Sequence, residues 1–186
     1  LSWKFCSDGV LTITGAGAMK DYRRFVEVAP WLECLQSYSG KKTLVLDDRI
    51  THIGSYAFYA EDGLDLSGEL HLPENLISVG DGAFYLCSGL TGTLTLPRGL
   101  KTIGAVAFCN CSSFTGDLIL PEGFTSVGWS AFSNCVGLTG RLQTPSTLKS
   151  IGSIAFSGTG FTKVIFSDGL EVIEDHVFSY CEALSG

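Results

Sequence analysis

The sequence predicts an α/β repeat solenoid, a right-handed stack of six short coils closed at its N-terminal end by a β-hairpin cap. Three observations predict it. The phrase Ile-Gly-x-x-Ala-Phe recurs as Ile53-Gly54 to Ala57-Phe58, Val79-Gly80 to Ala83-Phe84, Ile103-Gly104 to Ala107-Phe108, Val127-Gly128 to Ala131-Phe132 and Ile151-Gly152 to Ala155-Phe156, degrading at Ile173-Glu174 to Val177-Phe178. Its closing Phe residues lie 26, 24, 24, 24 and 22 positions apart, a period of the kind that marks stacked repeats. A short Leu-x-Leu run followed by proline opens most coils, at Pro73, Pro97, Pro121 and Pro145.

Residues 1–40 do not fit the repeat and form the cap. Trp3 to Cys6 and Val10 to Thr14 read as two strands around the turn Ser7-Asp8-Gly9, a hairpin signal. Gly15 to Ala18 reads as a loop, and Pro30 starts one or two helical turns over Trp31 to Tyr38. A solenoid exposes the core of its first coil unless something covers it. Trp3, Phe5, Val10, Leu11, Ile13 and Trp31 supply that cover.

The coils occupy residues 41–186, as six repeats of about 22–26 residues. Each opens with a strand: Leu44 to Leu46, Leu70 to Leu72, Leu94 to Leu96, Leu118 to Leu120, Leu142 to Thr144, Val164 to Phe166. Alternation sends the flanking residues inward and the middle residue outward. Proline, lacking a donor, ends the strand; Asp47 and Ser167 hold its place in the first and last coils. Two apolar columns follow, Ile50/Leu76/Leu100/Phe124/Leu148/Leu170 and Ile53/Val79/Ile103/Val127/Ile151/Ile173. A glycine then turns the chain, through positive φ or a close backbone contact, and Ala and Phe point inward from a helical or turn segment. The first coil is longer, with Asp65 and Leu66 as insertions; Glu61 is expected to bulge into water. The run Leu184-Ser185-Gly186 stands where another strand would begin, so the array is expected to be truncated at its C-terminus.

Composition narrows the function. Twelve basic against nineteen acidic residues give a net charge of −7. That disfavours nucleic acid, whose binding rests on Lys and Arg, and anionic membrane surfaces. Hydrophobic content is 45%, but no run reaches the roughly 18 apolar residues of a membrane span. Leu1 opens no signal peptide.

Cys87, Cys111, Cys135 and Cys181 each stand three residues after their coil's Phe. They read as a buried column of small side chains, because parallel Cβ vectors do not converge on disulfide geometry. Cys109 is expected to face outward as a free thiol, and a Cys6–Cys34 bridge stays open. No cofactor or metal is expected. Gly15-Ala16-Gly17 lacks the third glycine and following helix of a dinucleotide loop. His52, His71 and His176 lie at no metal spacing, and no Ser, His and acid set carries a nucleophile turn. The chain therefore reads as no enzyme. Asn110-Cys111-Ser112 spells a glycosylation sequon with its Cys in the inward column, and reads as chance.

The pattern C-x-x-L-x-G-x-L-x-L-P-x-x-L-x-x-I-G-x-x-A-F, carried by Cys87 through Phe108, resembles the BspA-like class of leucine-rich repeats. The resemblance covers residues 41–186. Leu11 to Met19 and Ala29-Pro30-Trp31 look like the segment that precedes such arrays in bacterial surface proteins. The departures are Glu174 for Gly, Val177 for Ala and the missing prolines of two coils. The resemblance implies an extracellular or cell-surface module that binds protein or glycoprotein ligands, in adhesion or host-protein recognition. It names no single ligand, since fold alone does not. The alternative is a passive spacer or stalk displaying another domain. Signal and anchor would lie elsewhere.

Two outward columns of the Leu-x-Leu face are candidate binding residues. One runs Thr43, Glu69, Thr93, Asp117, Arg141, Lys163, passing from acidic to basic. The other runs Val45, His71, Thr95, Ile119, Gln143, Ile165. Of these, Glu69, His71, Thr95, Asp117, Ile119, Arg141, Gln143, Lys163 and Ile165 carry the expectation, because repeat surfaces are the usual binding faces of solenoids. An alternative patch is Val106, Trp129 and Ile154, expected to look outward in adjacent coils. Packing of Trp129 on its own loop is the competing reading.

Overall fold

The computed structural model describes residues 1–59 and 63–185. In chain order the elements are β1 (Ser2–Phe5), β2 (Val10–Thr14), β3 (Gly17–Ala18), α1 (Leu32–Ser37), β4 (Thr43–Leu46), β5 (Ile50–Ile53), β6 (Gly68–Glu69) and β7 (Ser78–Val79). They continue as β8 (Leu90–Thr91), β9 (Thr102–Ile103), β10 (Leu118–Ile119), β11 (Ser126–Val127), β12 (Arg141–Gln143), β13 (Ser150–Ile151), β14 (Lys163–Ile165) and β15 (Val172–Ile173). The result is a β-solenoid of parallel rows with one short helix among the described residues. The Ala-Phe segments are turns rather than helix.

The hairpin β1–β2 forms as expected, antiparallel with Trp3 opposite Ile13, and β2 pairs parallel with β4. Leu11, Ile13 and Trp31 are buried, while Trp3 stays exposed and Phe5 and Val10 are half-buried. One correction concerns Gly15 to Ala18. That segment is not only loop: β3 is the outermost row of a seven-stranded parallel sheet, ordered β15-β13-β11-β9-β7-β5-β3. The cap thus extends the solenoid as a partial coil.

A second correction concerns the strands themselves. The continuous sheet is built on the Ile/Val column before the glycine, not on the Leu-x-Leu runs. Leu70 to Leu72 and Leu94 to Leu96 belong to no strand. A Ser-Val or Thr-Ile pair is too short to show alternation, so only stacking reveals that those residues pair.

Inside, the Phe side chains form one column. Successive rings of Phe58, Phe84, Phe108, Phe132, Phe156 and Phe178 lie 5.1, 5.2, 5.4, 5.5 and 5.7 Å apart, with interplanar angles of at most 15°. Trp31 closes the N-terminal end of the stack, 5.7 Å from Phe58, and its Nε1–H donates to the Ala57 carbonyl at 2.8 Å. Phe114 and Phe161 pack edge-on against Phe108 and Phe156.

The cysteine column lies beside this stack, with all thiols free. Cys87, Cys111 and Cys135 are fully buried and Cys181 is partly exposed at the last coil. Each thiol donates to the Phe carbonyl of the preceding coil. Cys111 reaches Phe84, Cys135 reaches Phe108 and Cys181 reaches Phe156, each at 3.1 Å, and Cys87 reaches Phe58 at 3.4 Å. Burial pushes the Cys87, Cys111 and Cys135 thiols well above their ordinary range. Cys109 is corrected: it is buried, 6% exposed, with the Ser130 hydroxyl donating to its sulfur. Cys6 and Cys34 stand as separate, partly exposed thiols.

The glycine after the Ile/Val column does not use positive φ. It allows close approach: a Cβ on Gly80 would sit 2.5 Å from the Ser55 backbone nitrogen. The left-handed turn comes two residues later, at Tyr56, Gly82, Val106, Ser130, Ile154 and His176, with φ between 49° and 60°. It recurs two residues after the Phe, at Leu86, Asn110, Asn134, Gly158 and Tyr180. This conformation aims N–H groups along the stacking axis. Val106 donates to Trp129 O and Asn110 to Ser133 O, both at 2.8 Å. In the last coil Glu174 accepts the Ser153 amide at 2.9 Å from the glycine position. Leu66 is buried, bridging to Lys42, and Asp65 is exposed. Glu61 lies outside the described residues.

Three outcomes test this packing. Phe108→Ala removes a ring with neighbours above and below and is expected to cost about 3–5 kcal/mol in a denaturant titration; a loss below about 1 kcal/mol contradicts the stack. Cys87, Cys111 and Cys135 are expected to resist a thiol reagent in the native protein and to react once it is denatured without reductant. A mass-spectrometric Cys111–Cys135 bridge contradicts the column. Val106→Asn relieves a β-branched side chain held left-handed, a conformation that costs about 1–2 kcal/mol. It is expected to raise stability by about 1 kcal/mol, and unchanged or lower stability in the same titration counts against the strain.

Candidate functional site

The Leu-x-Leu face is built by the row strands β4, β6, β8, β10, β12 and β14 and the extended segments after them. Its inward positions Leu70, Leu94, Leu118 and Leu142 are buried, as are Leu96, Leu120 and Thr144. The middle residues are thereby turned to solvent. Glu69, His71, Thr95, Ile119, Arg141, Gln143 and Lys163 are exposed, Ile119 at 47%, while Asp117, Thr43 and Ile165 are half-buried. All nine principal candidates lie on this one face.

Row pairing on this face is broken. β6 pairs only with β8, and β10, β12 and β14 form a separate sheet. Between the two sheets the only link among the described residues is the bridge Gly92–Phe114. Gly92 takes a positive φ of 82°, as Gly68 and Gly116 also do at the same place in their coils, and residues 93–96 after it belong to no strand. The rows splay there and leave two grooves. One, of about 470 Å³, lies between Thr95 and Ile119, with Arg98, Asp117 and Glu122 at its rim. The other, of about 500 Å³, lies between His71 and Thr95, bordered by Glu69 and Glu74. The glycine before each of these rows, Gly68, Gly92, Gly116 and Gly140, is legible in the sequence, but which rows part is not.

The acidic-to-basic gradient is altered by a contact across rows. Arg141 Nε donates to Asp117 Oδ2 at 2.8 Å, and the Arg141 amide donates to Asp117 Oδ1 at 2.8 Å. The two opposite charges neutralise each other at the centre of the face. Glu69, 3.9 Å from His71, and Lys163 remain as its charged ends.

The alternative patch residues lie in adjacent coils but not in one column, with the Val106 amide donating to Trp129 O at 2.8 Å. Val106 and Ile154 occupy the left-handed position and are half-buried, whereas Trp129 precedes that position by one residue, in register with Ala105 and Ser153. Trp129 is 53% exposed.

The family model that matches is the BspA type leucine rich repeat region, in six copies over residues 51–185. A leucine-rich cell surface protein of Faecalibacterium prausnitzii aligns with a TM-score of 0.72 at 25% identity, over 98% of this chain and 51% of that one. The chain thus spans about half that protein's length. The leucine-rich repeat protein of T. pallidum aligns with a TM-score of 0.67 at 24% identity, over 99% of this chain and 87% of that one. A leucine-rich repeat protein of Eubacterium ventriosum gives 0.62 at 24% identity, over 90% and 42%. No curated protein matches the chain.

Proposed function

The chain belongs to the BspA-type leucine-rich repeat family, and on that premise we propose that it is a cell-surface or secreted module that binds a protein or glycoprotein through its Leu-x-Leu face, in adhesion or host-protein recognition. The observation that carries the reading is the splayed seam at residues 93–96. There the repeat gives up row pairing and opens two grooves between exposed side chains of mixed chemistry. A bland, closed sheet offers a partner only flat solvated strands; this face offers apolar Ile119, polar Thr95 and Gln143, and charged ends at Glu69 and Lys163. The surface-protein setting is supported by the cell surface protein of Faecalibacterium prausnitzii. No helix among the described residues is long and apolar enough to cross a membrane.

The second reading, a spacer, is favoured by the unbroken seven-stranded sheet and Phe stack, which make a stiff rod. The two readings separate in one experiment. The immobilised chain is challenged with host-surface and matrix extracts, and the captured partner is measured by binding kinetics. Ile119→Asp is expected to weaken binding at least tenfold. Lys163→Glu is expected to slow association with little change in dissociation, because exposed charges chiefly steer encounter. Capture unaffected by either change, but lost with Trp129→Ala, moves the site to the exposed Trp; no capture favours the spacer.

A further inference from the structure

The seven-stranded sheet has an outer face of its own, and it gathers three residues that the sequence leaves 31 and 26 positions apart. Asp21 follows β3, His52 lies on β5 and Ser78 on β7, so consecutive rows contribute one residue each. His52 Nδ1 lies 2.7 Å from Ser78 Oγ, and His52 Nε2 lies 3.1 Å from Asp21 Oδ1. The same Asp21 oxygen accepts the Ser55 amide at 2.7 Å, which fixes the carboxylate in place. That amide first, and the His52 bond second, hold the Asp21 carboxyl below its ordinary range.

The tautomer follows from donor and acceptor counting. An ionised carboxylate only accepts, so His52 Nε2 carries the hydrogen. In the neutral imidazole Nδ1 then presents its lone pair, and the Ser78 hydroxyl donates to it. Nucleophile, base and orienting acid stand in the order that activates a hydroxyl. The base meets its neighbours through the opposite ring nitrogens from those of the serine protease triad, which leaves its chemistry unchanged because either nitrogen serves as base. The imidazole is partly shielded, its side chain 23% exposed, while a shallow groove of about 460 Å³ leaves Ser78 open to a ligand. Thr102 pairs with Ser78 in the next row, and its hydroxyl makes no hydrogen bond to another described residue. It stands one row spacing away, about 4.8 Å, free to donate to an oxygen that gains charge.

We propose that Ser78 is the nucleophile of an acyl-transfer site, with His52 as its general base and Asp21 as the positioning residue, acting on esters of short acyl groups. The short acyl group follows from the shape of the groove, which is shallow and open, lined by Ser55, Ser78, Thr102 and Ser126 together with Val79 and Ile103, and encloses no long chain. The Ser78 oxygen attacks the acyl carbon and gives its proton to His52 Nδ1. The ester C–O bond breaks, and His52 returns the proton to the leaving alkoxide or phenolate. Water, deprotonated by the same nitrogen, then hydrolyses the acyl-serine and restores the hydroxyl. The site lies apart from the Leu-x-Leu face and stands or falls independently of binding there.

The test uses p-nitrophenyl acetate on the whole chain, following p-nitrophenolate release, intact mass and peptide mapping. One acetyl group is expected on Ser78, absent in Ser78→Ala. His52→Gln is expected to slow acetylation about 100-fold, the lower range for a positioned base, and Asp21→Asn about tenfold. Ser150→Ala, in the same column without a neighbouring histidine, leaves the rate unchanged. Nitrogen NMR of His52 reports the Nε2–H tautomer in the parent and its loss in Asp21→Ala, which removes the acceptor that an asparagine carbonyl would keep, a signature that an aspartate without a bond to the imidazole would not move. Circular dichroism melts confirm that the variants fold. No adduct on Ser78, acetylation confined to His52 or to lysines, or a His52→Gln protein acetylated as fast as the parent overturns the proposal.

Discussion

The stack of Phe rings is the constraint on which the rest of this molecule depends. Rings that lie nearly parallel at 5.1–5.7 Å leave room for one coil between successive aromatic planes. Offset stacking of this kind contributes about 0.5–1.5 kcal/mol per pair beyond burial itself. Each ring presents both faces to neighbours, so no coil can bury its own Phe alone. A coil of altered length must therefore absorb the change in its loops, as the spacing of 26 at one end and 22 at the other shows. Trp31 belongs to the same constraint: it gives Phe58 the face that a preceding coil would supply, and its indole hydrogen satisfies the Ala57 carbonyl.

Polar groups at the stack are satisfied along the same axis. Left-handed residues before and after each Phe direct their amides to the next coil, while cysteine thiols donate to the previous coil's Phe carbonyl. Buried backbone groups left without partners would cost more than the local strain of a left-handed Val or Ile. The column tolerates Val106 and Ile154 for that reason. Thr159 stands three residues after Phe156, in the place the cysteines hold in other coils, and its hydroxyl donates instead to the Phe156 carbonyl of its own coil at 2.8 Å, so the column accepts a small polar side chain other than cysteine.

With the interior set, the two faces differ in how far their rows can close. On the Ile/Val side a glycine ends each of the five inner rows, and backbones approach closely enough to pair over seven strands. The Leu-x-Leu side loses row pairing at residues 93–96 and opens there. Both candidate sites follow from this asymmetry. The open face yields grooves between rows, and the closed face brings single residues from successive rows within hydrogen-bond distance.

The sequence by itself determined the inward columns, the period, the hairpin and the family resemblance, because each rests on residue type repeated at fixed spacing. Ile50, Phe108 and Cys111 are recognisable from one dimension since every coil repeats their environment. Tertiary structure alone decided what happens between coils. The continuous sheet runs through pairs such as Ser78–Val79, too short to carry a periodic signal. Cys109 turned inward, Arg141 neutralised Asp117, and Asp21, His52 and Ser78 met across three rows. Those outcomes depend on which residues of adjacent coils share a register, and a chain read linearly contains the spacing but not the distance.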